Sequence, residues 1–312
     1  MAAFETVAYE PARRASFLRL MREVYAGEGW SEDTFDWWFE RNPTGRFIVN
    51  LAEIEGRTVG AAAQSYARMM IDSKPVDVTF TIHVMTGPEA RGKGVFTGLQ
   101  RHNDRIAAES GAALALGFTN PMAGPIFVSR LGWDELCWLR LWARPKHPLR
   151  ALRRRRAGGK PTGGVRGGLE SFGPNHEEIY RRAAGGWANH VVKDAAYLNW
   201  RYGESTRRYA SVSTADGFAV VGWGVFRGVS AGLVCDLVGE DGVRLLNRCA
   251  RLADADVVLA MPNPGEHATY AAAGFVPTPA AIRFIGRSLQ PETALPQGRA
   301  TWRLSLGDTD IF

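Results

Sequence analysis

The stretch from residue 79 to residue 99 carries the residue types that could hold a phosphate group. It reads TFTIHVMTGPEARGKGVFTGL, so Arg91, Gly92, Lys93 and Gly94 bring positive charge and a permissive backbone together. Glycines let the backbone approach an anion closely. The free N–H groups and the dipole at the first turn of a helix also favour an anion. Because a helix is predicted to begin after Gly94, the stretch predicts an anion site.

Two elements must position this site, a strand before it and a helix after it. Apart from His83, residues 79–85 are β-branched or apolar, as a strand prefers. Pro88 ends the strand because it has no N–H to give to a ladder, and the helix continues through Ala107. The spacing matches neither a P-loop nor a dinucleotide-binding loop. A solvated basic turn between a strand and a helix is the alternative.

The run V-x-T-G-P-E-x-R-G-K-G, from Val84 to Gly94, resembles the acetyl-CoA loop of the GNAT superfamily of N-acyltransferases. That loop has the pattern Gln/Arg-x-x-Gly-x-Gly/Ala. Arg91 and Gly94 match it, and Phe96 stands where Gly or Ala is usual. The resemblance implies that the amides of residues 92–96 hold the pyrophosphate of acetyl-CoA or another acyl-CoA, and those of residues 84–86 its pantetheine arm. The implied cofactor-binding residues are Val84, Met85, Thr86, Arg91, Gly92, Lys93, Gly94, Val95, Phe96 and Asn120.

Asn120 belongs to a second stretch with the same resemblance. Residues 113–118 (ALALGF) predict a buried strand, and a helix is predicted over 123–130, ending at Gly132. This order resembles the second GNAT signature, which implies two strands that splay apart to receive the pantetheine arm, with Asn120 facing it. The alternative is that Asn120 only caps the helix that follows.

Candidate catalytic groups are few. The family's usual general acid is a tyrosine four residues before the glycine, and here Val128 holds that position. The usual carboxylate base is absent as well, which leaves His83 as the titratable side chain on the central strand. Its ordinary pKa near 6.5 suits a base that works directly or through water, although a packed histidine is the alternative. Trp37 and Trp38, in a helix predicted over 34–41, are expected to line the acceptor cleft or to belong to the core.

The second half of the chain repeats the first. Residues 194–202 (DAAYLNWRY) resemble residues 32–40 (EDTFDWWFE). In this alignment Tyr197 corresponds to Phe35, and Trp200 corresponds to Trp38. The pattern predicts an α/β protein of two tandem GNAT-like domains, each a mixed twisted sheet flanked by helices.

The repeated half lacks a basic loop. Its equivalent residues 239–242 (GEDG) are acidic and would repel a pyrophosphate, while Asn263 corresponds to Asn120. Tyr270 stands where the first half has Val128. It is either a packing residue or a catalytic acid in a site composed of both halves. The second domain is therefore predicted to be degenerate.

A basic segment separates the two halves. The chain has 38 Lys and Arg against 32 Asp and Glu, and residues 144–166 hold nine of the basic residues with no acid among them. Because glycine and proline are frequent there too, residues 144–170 are predicted as a linker between domains 1–143 and 171–312. A solvated linker is favoured over a contact with nucleic acid, which the arginines leave open. No membrane contact is expected.

The cysteines and the N-terminus bear on the compartment. Cys137, Cys235 and Cys249 are odd in number and widely spaced, which predicts buried thiols in a reducing compartment and no metal site. No apolar run approaches the roughly 18 residues of a membrane span. The first residues lack the hydrophobic core of a signal peptide. The cytoplasm is the expected location.

These features predict an N-acyltransferase that moves an acyl group, expected to be acetyl, from acyl-CoA to a small-molecule amine, as a monomer or homodimer. Two alternatives stay open: a FemX-like transferase that uses aminoacyl-tRNA, and a non-catalytic acyl-CoA-binding or regulatory protein. The tail over 301–310 is expected to add a strand, with Asp308 and Asp310 reaching a cleft. In some tandem relatives the C-terminal carboxylate enters the active site, and the sequence leaves that role of Phe312 open.

Overall fold

Residues 4–27 and 29–309 are described by a computed structural model of the chain. They divide into two units. Unit 1 comprises the described residues up to Met69 together with Lys74–Cys137 and Arg283–Gln297. Unit 2 comprises Met70–Ser73, Trp138–Ile282 and the described residues from Gly298 onward. Asp310 and Phe312 lie outside the described residues.

The first part of the chain, up to β6, contains both strands and helices. In chain order they are β1 (Glu5–Ala8), α1 (Arg14–Val24), α2 (Glu32–Phe35), β2 (Phe47–Ile54), β3 (Arg57–Ile71), β4 (Lys74–Thr86), α3 (Val95–Glu109), β5 (Leu114–Thr119), α4 (Gly124–Leu131) and β6 (Asp134–Pro145). Strand β6 leaves unit 1 after Cys137, and its remainder belongs to unit 2.

The later part of the chain also contains both strands and helices. They are α5 (Pro148–Arg156), β7 (Gly164–Val165), α6 (Pro174–Ala184), β8 (Asn189–Val191), α7 (Ala195–Leu198), β9 (Ala210–Ser213), β10 (Gly217–Phe226), β11 (Val229–Gly239), α8 (Gly242–Leu252), β12 (Ala253–Asp254), β13 (Val257–Ala260), α9 (His267–Ala272), β14 (Val276–Ser288) and β15 (Trp302–Arg303). The end of β14, from Arg283, belongs to unit 1.

The sheet of unit 1 is mixed. Its order is β1-β2-β3-β4-β5, followed by the end of β14. Strand β1 pairs antiparallel with β2, and β2 pairs antiparallel with β3. Strands β4 and β5 pair parallel. A tight turn joins β2 to β3 as a hairpin, with Glu55 at φ 51° and Gly56 at φ 75°. Helix α3 covers one face of this sheet through Val95 and Leu99, which pack against Ala52 and Val59.

The sheet of unit 2 has the same plan. Strands β9, β10 and β11 pair antiparallel, β11 and β13 pair parallel, and β13 pairs antiparallel with the end of β6. Helix α8 buries Leu245, Leu246 and Cys249 against this sheet. All three cysteines are buried and free, as the sequence predicts. The mixed α/β class predicted for the chain is confirmed.

Both units contain a short capped helix that widens into a π turn, at a register one residue from the predicted one. Ser31 caps α2 by accepting from the Thr34 amide, and Asp194 caps α7 by accepting from the Tyr197 amide. The π turns follow at Asp36–Glu40 and Asn199–Gly203. Ser31 therefore corresponds to Asp194, and the first half's expected continuous helix is divided in two. The caps decide this register, which the aromatic spacing alone misplaced.

The predicted linker contains regular structure. Strand β6 continues to Pro145, and α5 occupies Pro148–Arg156. The buried carboxylate of Asp256 accepts from Arg150 Nε at 2.6 Å and from Arg154 Nη1 at 2.9 Å. These ion pairs hold α5 against the rest of unit 2, so this part of the segment is not a free linker.

The C-terminal segment of unit 2 forms less strand than predicted. Only Trp302–Arg303 is strand, paired parallel with β8, and Leu306–Asp308 is a turn of 3-10 helix. Asp308 is buried against Lys193 and not directed at an open cleft. Within the described residues, no helix has the length and apolarity needed to cross a bilayer.

Candidate active site

The basic loop of unit 1 folds as a turn that delivers free amides to one place. Strand β4 ends at Thr86, a 3-10 turn spans Pro88–Ala90, and α3 begins at Val95. Gly92 and Gly94 adopt φ of 75° and 80°. Side chains rarely adopt this backbone, so the loop depends on glycine for its conformation. An added Cβ would meet nothing within 4 Å at either glycine, so the space beside them is open.

The start of α3 leaves several amide donors unused. The helix ladder begins with the Gly98 amide, which donates to the Gly94 carbonyl at 2.9 Å. The three amides of residues 95–97 therefore have no acceptor within the helix. The Lys93 amide, by contrast, donates to the Ala90 carbonyl at 3.3 Å. Of the amides predicted to bind pyrophosphate, that of Lys93 is thus already engaged.

A cavity of about 270 Å³ lies against this loop. Its lining includes Arg91, Gly92, Gly94 and Thr97, and Arg130 from the end of α4. Free amides and two guanidinium groups around one cavity provide an anion site. The sequence gives no sign of Arg130 as a site residue, because its place at the end of α4 has no spacing relation to the loop. Lys93 is exposed and does not line the cavity.

Strands β4 and β5 separate beside the loop. Their pairing runs from Val78 opposite Leu114 to Thr81 opposite Gly117 and then ends. Beyond that point β5 pairs with β14 up to Thr119. The edge of β4 over residues 82–86 therefore has no partner on the β5 side. The predicted splay of the two strands is present.

The side chains of β4 near the splay contact different parts of unit 1. Thr81 Oγ1 accepts from Gln100 Nε2 of α3 at 3.3 Å, and Val84 packs against the core cluster that contains Val95 and Leu99. His83 contacts Tyr25 and Trp30.

A second cavity of about 80 Å³ lies in this splay. Thr81, Ile82, Val84, Phe118, Asn120 and Tyr25 are among its lining residues. Met85 is 1% exposed, so only its backbone can face a ligand, while Thr86 lines the loop cavity. The predicted residues Val84 and Asn120 are thus brought to the splay, and the loop residues to the first cavity.

Phe96 lies between the two cavities and lines both. Its ring meets Phe127 of α4 edge to face at 5.4 Å between centroids. The ring therefore fills space between α3 and α4. It occupies the position where the resembled loop has Gly or Ala.

Asn120 serves the turn into α4 while it lines the splay. Its Oδ1 accepts from the amides of Met122 and Ala123 at 3.0 and 2.9 Å. The oxygen is thereby used in capping, as in the alternative reading, and the side-chain amide nitrogen is the group left for a ligand. Both readings of Asn120 are compatible with its position.

His83 sits in an aromatic surround. Tyr25 Oη lies 3.3 Å from its Nδ1, and the Trp30 ring stands edge to face at 4.8 Å. Its Nε2 is buried without a hydrogen-bond partner among residues 4–27 and 29–309. Burial lowers the pKa of His83 to about 4, so the imidazole is neutral at pH 7. A neutral imidazole can accept a proton, although so low a pKa makes it a weak base.

Tyr25 is the functional candidate that the sequence did not reveal. It follows α1, is 41% exposed, and lines the splay cavity beside His83. No sequence motif marks Tyr25, and the contact between His83 and Tyr25 joins residues 58 positions apart.

Three predicted site residues lie in cores instead. Trp37 and Trp38 are 1% and 7% exposed, and neither residue lines one of the two cavities. Their rings pack edge to face on each other, with 4.9 Å between centroids. Tyr270 is buried in the core of unit 2 beside Phe275, and burial raises its pKa well above the usual range. A buried, hard-to-ionise phenol matches the packing reading of Tyr270 and not the catalytic one.

In unit 2 the place equivalent to the splay is filled by the chain itself. Strands β11 and β13 pair only to Leu233 opposite Leu259. Beyond them, Asn263 Oδ1 accepts from the Leu304 amide at 2.9 Å, and Gly307 packs so closely that an added Cβ would lie 3.1 Å from the Cys235 carbonyl oxygen. The tail thus occupies the position that is a cavity in unit 1.

The parallel pair that splays, the amide-rich loop and the strand order together define the GNAT fold. A GCN5-related N-acetyltransferase from Anabaena variabilis has this fold with a TM-score of 0.65 at 13% identity, over 92% of this chain and 73% of that one. Saccharomyces cerevisiae N-myristoyltransferase, solved with bound myristoyl-CoA, has a TM-score of 0.62 at 11% identity, over 97% of this chain and 89% of that one. Eis1 from Mycobacterium abscessus has a TM-score of 0.58 at 16% identity, over 93% and 74%.

The domain itself is given by the sequence comparison. Residues 8–136 match the family model described as "Acetyltransferase (GNAT) domain". No curated protein sequence matches the chain. The match of residues 8–136 to a GNAT acetyltransferase domain indicates an acyltransferase enzyme of the class that uses acyl-CoA.

Proposed function

We propose that unit 1 transfers an acetyl group from acetyl-CoA to the primary amine of a small molecule. The observation that carries this is the proximity of the two cavities, one rich in free amides and one between splayed strands, which share Phe96 as a lining residue. The first suits a pyrophosphate and the second an extended arm that ends in a thioester.

The size of the splay cavity supports a short acyl group. At about 80 Å³, it offers room for only a few water-sized groups. An acetyl group fits such a space, whereas a long acyl chain needs more volume than this unit provides there. The aromatic rings of Tyr25, Phe118 and Phe127 bound the cavity and limit its extension.

The reaction requires two proton movements. The amine nitrogen attacks the thioester carbonyl carbon, a C–N bond forms, the C–S bond breaks, and the thiolate of CoA takes up a proton. Tyr25 is the hydroxyl donor beside the cavity for that proton, and neutral His83 or water receives the proton that the amine releases. Holding the amine against the thioester supplies most of the acceleration.

Calorimetric titration of acetyl-CoA into the full chain tests the loop. Gly94→Glu places a carboxylate beside the proposed pyrophosphate, so we expect at least a tenfold weaker affinity. Gly56→Glu is the matched control, because Gly56 has φ 75°, also faces open space and lies in the β2–β3 turn. Equal affinities for the two variants would refute the loop assignment.

A non-catalytic acyl-CoA-binding protein is the second candidate. Val128 in the habitual position of the tyrosine, 40% exposed, and the low pKa of His83 favour it. Turnover of acetyl-CoA with a panel of small amines separates the two. Tight binding without release of free CoA thiol for any amine would select the binding protein.

A further inference from the structure

A network of buried polar side chains lies between α3 and the sheet of unit 1. Asp104 of α3 is 4% exposed. Its Oδ1 accepts from Gln100 Nε2 at 2.7 Å and from Gln64 Nε2 at 3.1 Å. Its Oδ2 accepts from Trp133 Nε1 at 3.1 Å. Because the carboxylate accepts, it holds the nitrogen of each glutamine amide inward and fixes the orientation of both side chains.

The same two amides fill the acceptor sites of the Thr81 hydroxyl. Gln64 Nε2 and Gln100 Nε2 each donate to Thr81 Oγ1 at 3.3 Å. A hydroxyl oxygen has two lone pairs and one hydrogen, so both lone pairs are occupied. Within residues 4–27 and 29–309, this hydroxyl has no acceptor for its own hydrogen. The Thr81 hydroxyl is therefore a donor that the fold leaves unused.

Thr81 lies at the closed end of the splay between β4 and β5. It pairs with Gly117 in the last pair before the strands separate, and both residues line the splay cavity. An added Cβ at Gly117 would lie 3.7 Å from Thr81 Cβ and 3.7 Å from the Trp133 ring. Gly117 thus leaves room beside the Thr81 side chain, on the face of the sheet where Gln100 meets the hydroxyl. Thr81 is only half-buried, so a ligand in the cavity can contact it.

Building on the proposed acetyl-CoA site, we propose that the Thr81 hydroxyl donates a hydrogen bond to the thioester carbonyl oxygen of the acyl donor. An arm that starts at the loop beside Thr86 runs along the free edge of β4. Thr81 is five residues back from Thr86, or roughly 17 Å of strand. Only the far end of the arm reaches Thr81, and that end carries the thioester.

This hydrogen bond strengthens as the reaction proceeds. When the amine nitrogen attacks the carbonyl carbon, the electron pair of the C=O bond moves to the oxygen, and it returns when the C–S bond breaks. Thr81 keeps its proton throughout and stabilises the negative charge on that oxygen. Gln64 and Gln100 are positioning residues, because they occupy both lone pairs of the hydroxyl and leave it only the role of donor.

Calorimetric titration of the full chain with acetyl-CoA and with S-ethyl-CoA tests the hydrogen bond without requiring turnover. The ethyl compound has the same chain length and lacks the carbonyl oxygen. We expect the unchanged chain to bind acetyl-CoA several-fold more tightly. Thr81→Val removes the hydroxyl at nearly constant shape, so most of this preference should disappear while the affinity for S-ethyl-CoA stays within twofold. Thr81→Ser keeps the hydroxyl and should keep the preference.

Thr79→Val is the matched control. Thr79 lies two residues earlier on the same face of β4, is fully buried and lines neither cavity. Its variant should prefer acetyl-CoA as strongly as the unchanged chain does. With an amine that is acetylated, kcat should fall about a hundredfold for Thr81→Val, the low end for the loss of one such donor, and should not change for Thr79→Val.

Two results would overturn the Thr81 assignment alone: equal affinity of the unchanged chain for the two CoA compounds, or a preference that survives Thr81→Val. Binding of neither compound would overturn the acetyl-CoA proposal, and the Thr81 assignment with it. Should the valine variant fail to fold, Thr81→Ala removes the same hydroxyl, and the comparison of the two compounds on the unchanged chain still decides.

Discussion

At the residue scale, the candidate chemistry rests on a histidine and a tyrosine that are 58 positions apart in sequence. His83 lies on β4 and Tyr25 follows α1, yet their side chains approach to 3.3 Å. The phenol is the more exposed of the two and lines the splay cavity. It can therefore take the place of the acid that Val128 does not provide.

Tyr25→Phe tests this replacement. The variant keeps the ring and removes the hydroxyl, so protonation of the leaving thiolate should be slower. We expect kcat for acetyl transfer to fall about a hundredfold, at the low end of the range for general acids. The acetyl-CoA affinity, measured by calorimetry, should stay within twofold. An unchanged kcat would exclude Tyr25 as the acid.

Burial of His83 predicts a dependence of stability on pH. The folded-state pKa is lowered to about 4, below the unfolded value near 6.5. As pH falls, the unfolded chain binds the proton first, so stability is complete above about pH 6.5 and is lost toward pH 4.

Thermal unfolding of the unchanged chain and of His83→Gln, followed between pH 7.5 and pH 5, measures this contribution. The midpoint should fall more steeply for the unchanged chain, because the variant has no proton to bind at that site. The other titrating groups act equally in both proteins. Parallel pH profiles would contradict the assigned pKa.

At the element scale, α5 shows why a run of arginines is not enough to define a linker. Arg150 and Arg154 reach Asp256, whose side chain is 2% exposed, and Arg150 and Arg166 reach the more exposed Asp254. Arginine side chains that already form ion pairs are less available to bind a polyanion. This weighs against the aminoacyl-tRNA alternative, which drew its support from those arginines.

The two aspartates provide a matched pair of variants. Asp256→Asn removes a buried partner of two guanidinium groups, and we expect a loss of about 2 kcal/mol in the free energy of unfolding. Asp254→Asn removes a partner that is 37% exposed, for which about 0.5 kcal/mol is expected because solvent screens the pair. Chemical denaturation of both variants measures the difference. Equal losses would show that burial does not decide the strength of these pairs.

At the scale of the whole molecule, the two units have the same strand plan and different contents. Unit 1 keeps a cavity between its splayed strands, whereas unit 2 fills the equivalent place with its own tail. Buried polar groups hold that tail: Lys193 Nζ lies 2.8 Å from Asp308 Oδ1 and also binds Asp236, and Arg201 Nε donates to the Gly307 carbonyl at 2.8 Å.

Lys193→Met tests this tether. The change leaves Asp236 and Asp308 buried without their cation, and we expect a loss of about 3 to 5 kcal/mol in the free energy of unfolding at pH 7. Burial already raises the pKa of Asp308, so this carboxyl can take up a proton at lower pH and the loss should be smaller at pH 5. Arg182→Met is the control, since its partner Asp216 is half exposed. Similar losses for both variants would contradict a tether formed by buried charges.

Local sequence patterns predicted the elements of the candidate site well. The strand before Pro88, the glycine loop and the helix after Gly94 all depend on neighbouring residues, so their propensities are readable in one dimension. The register of the repeat was one residue off because caps, and not aromatic spacing, determine where α2 and α7 begin. Trp37 and Trp38 were assigned to a cleft because composition does not tell which face of a helix is buried.

The sequence by itself determined the mixed α/β class, the basic glycine loop around Arg91 and Gly94, and the absence of a basic loop at residues 239–242. These properties follow from residue type and local spacing, which act over one or two turns of chain. Only the tertiary structure decided which distant groups meet: Tyr25 beside His83, Arg130 at the loop cavity, and the tail in the splay of unit 2. Contacts between residues far apart in sequence depend on strand order and buried ion pairs, and neither leaves a local pattern.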